Sequence, residues 1–171
     1  MIRIVGLSAT LPNYLDVAQF LRVNPYKGLF YFDSRFRPVP LSQTFIGVKE
    51  VNPMRQMQEM DVVCYEKVAA MVSKGHQVMV FVHARNATLK TAQTLREMAQ
   101  NKSQLHFFRP EDDAAFGAAV KNVSKSRNKH LVDLFKEGFA IHHAGMLRSD
   151  RNLVEKVFSE GHARVLVCTA T

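Results

Sequence analysis

The chain has 171 residues, 47% of them apolar and rich in Phe, Leu, Ile and Val, so a real core is expected and global disorder is excluded. No apolar run approaches the ~18 residues of a membrane span, and Met1 leads straight into "IRIVGL" with no cationic start or cleavage site, so neither a span nor a secretory leader is expected. The formal net charge of +8 favours an anionic partner, and nucleic acid is the commonest.

"IRIVGL" (Ile2 to Leu7) is a β-branched run that reads as a buried strand, and "SATLP" follows as a turn. Asn13 is placed to cap a helix with Asp16 in its first turn and Val17, Ala18 and Leu21 inward. "GLFYF" (Gly28 to Phe32) reads as a second strand. "DSRFRPVPL" breaks the pattern, because Pro38 and Pro40 forbid a regular helix and disfavour a central strand. It reads as an extended linker. The expected organisation is one folding unit over 1–32, a linker over 33–42 and a second unit over 43–171.

Alternation then becomes regular. "SQTFIGV" (Ser42 to Val48) is a predicted strand. A helix from about Met54 to Ser73 places Met60, Val63, Cys64, Val68, Met71 and Val72 on one face. "QVMVFV" (Gln77 to Val82) reads as a strand apolar on both faces. Asn86 is placed to cap a helix with Ala92, Leu95 and Ala99 inward. Between Asn101 and Ser124 one short helix is expected after Pro110. "KSRNKHLVDLFKEG" is a helix packing Leu131, Leu134 and Phe135, stopped by Gly138. "FAIHH" is a strand, "LRSDRNLVEKVFSE" a helix stopped by Gly161, and "ARVLVCTAT" a strand. Strand and helix alternate as in βαβ units, so the expected fold class is α/β with a mostly parallel sheet flanked by helices.

In such sheets ligands meet the carboxyl ends of the strands. Polar clusters fall there repeatedly: Ser8 to Thr10, His83 to Asn86, His142 to Gly145, and Cys168 to Thr171. The adjacent His142 and His143 point to opposite faces of a strand, and no H-E-x-x-H or C-x-x-C pattern accompanies them, so a metal site is set aside. No nucleophile stands nearby to make them catalytic bases. As a phosphate grip they make sense: one imidazole enters the crevice, Gly145 lets backbone approach closely, and Arg148 and Arg151 add charge. The other histidine packs inward on a buried hydrogen bond. His83 and Arg85 end "FVHAR", where an Arg fork suits a phosphate or base. Lys121, Lys125, Arg127 and Lys129 read as a solvated helix face. Cys64 and Cys168 read as buried free thiols of a reducing compartment, cytoplasm or nucleus. The chain has no G-x-x-x-x-G-K-[ST] loop and no Asp-Glu dipeptide, so it holds no nucleoside triphosphate by those devices. It begins and ends within strand patterns, as an excerpt of a longer protein would.

The order of "GLSATLPN", "RFRPVPL", "VFVHAR", "IHHAGMLRSDRNLVEKVF" and "VLVCTAT" resembles that of the Ski2-like branch of superfamily 2 helicases, from motif III to the first part of motif V. The resemblance runs from end to end. It implies the end of one RecA-like domain, a crossing, and most of a second. It also implies ATP and Mg2+ as cofactors of the whole protein, with the ATP-binding loop outside these residues and ATPase activity absent from them alone. A single strand of RNA or DNA and the other subunits of a cointegrator-type complex are the implied partners. Ser8, Ala9 and Thr10 would couple nucleotide state to strand grip. His83, Arg85, His143, Ala144, Gly145 and Thr169 would contact the strand backbone, with His142 and Arg148 beside them. No residue here is implied to be catalytic or metal-binding. The competing reading is a RecA-like module that binds nucleic acid or a protein without catalysis.

Overall fold

The computed structural model describes residues 2–9, 11–111 and 113–170. Two compact units follow one another along the chain, Met1–Ile46 and Gly47–Thr171.

In the first unit α1 spans Tyr14–Phe20, with Asp16 in its first turn and Ala18 buried. Asn13 occupies the cap position but its side chain makes no capping bond, because its backbone (φ −102°, ψ 39°) is not the extended form that aims the side chain at the helix amides. Tyr14 stacks on Tyr31 at 4.6 Å between ring centroids. A single 3₁₀ turn, Ser34–Phe36, interrupts the expected linker, capped by Asp33, which accepts a bond from the Arg35 amide and pairs with its guanidinium at 2.7 Å. The strands expected at Ile2 to Leu7, Gly28 to Phe32 and Ser42 to Val48 do not form. Their residues prefer extended backbone, but a strand also needs a hydrogen-bonding neighbour about 4.8 Å away, and no described segment supplies one. Ile2, Ile4, Val5, Leu7 and Phe45 are exposed accordingly.

The second unit carries the core. α2 spans Pro53–Val72 and starts where Asn52 accepts bonds from the Met54 and Arg55 amides, with Pro53 at the first turn, where its missing N–H costs nothing. Its buried stripe runs through Tyr65, Val68 and Val72. Met60 and Met71, expected inward, are exposed, and Tyr65 takes the inner face instead, its hydroxyl donating to Gln104 Oε1 at 2.6 Å. β1 (Val78–Phe81) leads to α3 (Arg85–Asn101), which buries Ala92, Leu95 and Ala99 as predicted. Ala84, not Asn86, is the cap residue, since Arg85 is already helical. The 102–124 stretch holds two helices where one was expected, α4 (Leu105–Phe108) and α5 (Ala114–Val123). α6 (Lys129–Phe135), β2 (Phe139–His142), α7 (Arg148–Ser159) and β3 (Val165–Cys168) complete the unit. Gly138 and Gly161 follow α6 and α7 at φ +85° and +82°, the left-handed conformation that ends a helix.

The sheet is parallel, in the order β1-β3-β2, so the last strand in the chain is the central one. This is the α/β class that the alternation predicts. β3 is buried along its whole length, as a central parallel strand must be. Leu131, Leu134, Phe135, Phe139, Val154 and Val157 close over β2 and β3 from the helices and neighbouring strand. Each such side chain contributes roughly 1.5–3 kcal/mol on leaving water. β1 is an edge strand, and only one of its faces is packed: Met79 and Phe81 are exposed, contrary to the two-sided burial read from its composition.

Candidate nucleic-acid interface

The register pairs Phe81 with Cys168 and His142 with Cys168, so all three strands end at one level. The ladder continues one step further: the Val82 amide donates to the Cys168 carbonyl at 2.9 Å, and the Thr169 amide donates to the His142 carbonyl at 3.2 Å. The segments starting at His83, His143 and Thr169 therefore emerge side by side at the carboxyl edge.

Arg85 opens α3, where its carbonyl accepts the Thr88 hydroxyl at 2.6 Å. Its guanidinium has no carboxylate partner among the described residues, and the residue is exposed. Gly145 lies against both Arg85 and His143. A Cβ placed on Gly145 would stand 3.1 Å from His143 Nδ1 and 3.3 Å from Arg85 Cδ, tighter than ordinary contact. The Gly145 amide donates to His143 Nδ1 at 3.1 Å. Nδ1 is thus the acceptor, and the neutral ring carries its proton on Nε2. Burial, then the positive charge of Arg85, then the electrostatic influence of the neighbouring His142, push the His143 pKa below its ordinary 6.5. Near neutral pH the cluster is one permanent cation, one neutral imidazole with a free N–H, and a glycine without a side chain to keep a ligand away. Such a set binds an anionic oxygen without metal and without proton transfer.

The two histidines part as neighbouring strand residues must. The His142 ring sits on α7, its Nε2 2.9 Å from Glu155 Oε1, and its side chain is only 12% exposed. The His142 ring thus has Glu155 of α7 as its partner. Glu155 has no distinguishing mark in the sequence, because a Glu on an exposed helix face is ordinary. His83 and Ala144 are exposed beside the cluster, and Thr169 is half-buried. Arg148 is exposed at the start of α7. Ser8 and Ala9 lie in the first unit, exposed, with a bend at Ala9, and Thr10 lies outside the described residues. Cys168 is buried and Cys64 half-buried; both are free thiols, and burial pushes both thiol pKa values up.

No family model matches the chain. Over all 171 residues it is 66% identical to a protein of Mus musculus and 64% identical to one of Homo sapiens, both named activating signal cointegrator 1 complex subunit 3. The chain is similar, end to end, to activating signal cointegrator 1 complex subunit 3. A plant protein of Arabidopsis thaliana, the DExH-box ATP-dependent RNA helicase DExH14, is 56% identical over the same 171 residues. The chain spans 8% of the length of each of these curated relatives. The likeness to helicases read from "IHHAGM" and its neighbouring motifs agrees with the name of the plant relative, and the two mammalian relatives are named as a subunit of a complex.

Proposed function

We propose that these residues belong to an ATP-dependent nucleic-acid helicase of the Ski2-like, superfamily 2 kind, and that they grip the backbone of one strand of RNA or DNA. The juxtaposition of Arg85, His143 and Gly145 at the carboxyl edge carries this reading. His83, Ala144 and Thr169 extend the same edge, and Arg148 adds charge at the start of α7. Ser8, Ala9 and Thr10 are assigned to coupling between nucleotide state and grip. Residues 1–32 are assigned to the end of a first RecA-like domain, 33–42 to the crossing, and 43–171 to the second.

ATP and Mg2+ act in the whole protein. Among the described residues no cluster of three His, Cys, Asp or Glu side chains is arranged to hold a metal ion, and the sequence has no phosphate-cradling loop. The residues present do not fit the nucleotide or its metal. The naming of the mammalian relatives as complex subunits supports assembly with other subunits of a cointegrator-type complex. Nucleus and cytoplasm are the proposed compartments. No helix among the described residues is long and apolar enough to cross a membrane.

The test is Arg85→Ala in the natural polypeptide that carries these residues, with fluorescence anisotropy on labelled U-tract RNA and T-tract DNA. Affinity is expected to fall across sequences, and the slope of log K against log salt to flatten by about 0.7, one single-strand phosphate contact. An unchanged slope removes Arg85 from the grip. Strand binding without strand-stimulated ATPase activity in the wild type supports the non-catalytic module instead.

A further inference from the structure

From Ala114 to Val132 the chain contains no carboxylate, yet it carries Lys121, Lys125, Arg127 and Lys129, all exposed. None of the four forms an ion pair among the described residues; Lys125 reaches only the Asn122 side-chain oxygen, at 3.5 Å. The nearest carboxylate in sequence, Asp133, is taken by Arg96 at 2.5 Å. Among the described residues the cations are therefore not neutralised.

Topology fixes where they stand. α6 hands over to β2 through the turn at Gly138 and packs on β2, so it runs antiparallel to that strand. Seven residues of helix rise about 10 Å and four of strand about 13 Å, so the start of α6 comes within about 3 Å of the level where β2 ends. α5 confirms the direction. Phe116, near its start, lies 5.7 Å from Phe135 at the end of α6 and 6.3 Å from His162, just before β3 begins. The start of α5 is thus at the amino edge of the sheet, and its end, with the Ser124–Asn128 turn, is at the carboxyl edge. That edge also holds Arg85, His143 and Gly145.

The turn is well braced. Ser126 Oγ accepts the Asn128 amide at 3.0 Å, Asn128 Oδ1 accepts the Leu131 amide at 3.1 Å, and the Ser124 hydroxyl donates to the Lys121 carbonyl at 2.7 Å. It holds its cations on an ordered frame. No large hydrophobic side chain is exposed between Lys121 and His130. A protein partner needs a dry apolar centre with aromatic or aliphatic anchors, and this surface offers none. A phosphate backbone needs only charge and donors, which Lys, Arg, Ser and Asn supply.

We propose that the α5–α6 turn, through Lys125, Arg127 and Lys129, is a second contact for the same nucleic-acid strand, extending its path from the Arg85–His143–Gly145 cluster outward past β2. The proposal rests on the strand-gripping reading above.

The experiment compares wild type with the triple variant Lys125→Ala, Arg127→Ala, Lys129→Ala in the natural polypeptide. Binding is measured on single-stranded U-tracts of about five and about thirty nucleotides, within and beyond the reach of one binding module, over a salt series. The variant is expected to match wild type on the short strand. On the long strand it loses about 2 from the salt slope, three contacts at about 0.7 each. The charge-preserving variant Lys125→Arg, Arg127→Lys, Lys129→Arg keeps the wild-type slope. A triple variant equal to wild type on the long strand overturns the second contact and leaves the Arg85 cluster standing. Equal weakening on both lengths also overturns it, since the turn then acts through the cluster. Wild type that binds neither strand overturns both readings. Loss of poly-glutamate binding with strand binding intact overturns it in favour of an acidic protein partner.

Discussion

Gly138→Ala tests the seat of β2, and two other glycines calibrate it. Gly138, Gly75 and Gly161 all have φ between +82° and +85°. A methyl group on Gly75 or Gly161 meets nothing within 4 Å, whereas on Gly138 it falls 1.8 Å from the Phe108 carbonyl oxygen and 2.8 Å from the Phe108 carbonyl carbon. All three alanines incur the left-handed backbone cost of roughly 1–2 kcal/mol, partly offset by a less flexible unfolded chain, worth about 0.4–1 kcal/mol. Only Gly138→Ala adds an overlap with main chain, which cannot rotate away and costs about 1–3 kcal/mol or more. The expectation is a loss of about 1 kcal/mol at Gly75 and Gly161 and of about 2–4 kcal/mol at Gly138. For a unit of this size each kcal/mol moves the melting temperature by about 4 °C. Thermal unfolding of the 171-residue chain, followed by circular dichroism, should show drops of about 4 °C for the two controls and about 8–16 °C for Gly138→Ala. Equal drops at all three positions would refute the close approach of Gly138 to Phe108. They would also refute the placement of β2 that depends on it, because the Gly138 carbonyl also accepts the Arg164 and Val165 amides at the head of β3.

Glu155→Gln should lower stability by no more than about 1 kcal/mol, since Glu155 is largely exposed, and should leave strand affinity unchanged in anisotropy titrations. A loss of affinity would return His142 to the grip. His143 gives a pH dependence of defined sign. Its folded pKa lies below 6.5, so the unfolded ring takes up a proton first and stability falls as pH drops below about 6.5 toward the lowered folded value. Denaturant unfolding at pH 7.5 and pH 5 should show a smaller acid loss in His143→Gln than in wild type; an identical loss refutes the depressed pKa.

The sequence was most legible where one residue decides a local geometry. Gly138 and Gly161 end their helices as glycine after a helical pattern predicts, and the parting of His142 from His143 follows from the two-residue period of a strand. Leu131, Leu134 and Phe135 face inward because helical spacing leaves them no other common face. Pairing was not legible. "IRIVGL", "GLFYF" and "SQTFIGV" have strand composition, but whether a neighbour lies alongside depends on distant chain. Tyr65 rather than Met60 faces inward on α2 because Phe108, which stacks on Tyr65 at 6.2 Å between centroids, comes from α4, which lies ahead of the helix expected after Pro110. The contact of Arg85 with Gly145 joins two loops sixty residues apart, and nothing local to either predicts it.

The strand order β1-β3-β2 sets a schedule for the ribosome. Among the described residues β1 and β2 do not pair with each other; each pairs only with β3, which is made last of the three. At roughly 5–20 residues per second, β1 waits on the order of ten seconds before β3, its partner in this sheet, is synthesised. During that interval the apolar residues of β1 and β2 have no sheet to join. The nascent unit is therefore exposed to mispairing and to chaperone capture until Val165–Cys168 clears the exit tunnel, and a stall upstream of Val165 leaves two strands with no template between them.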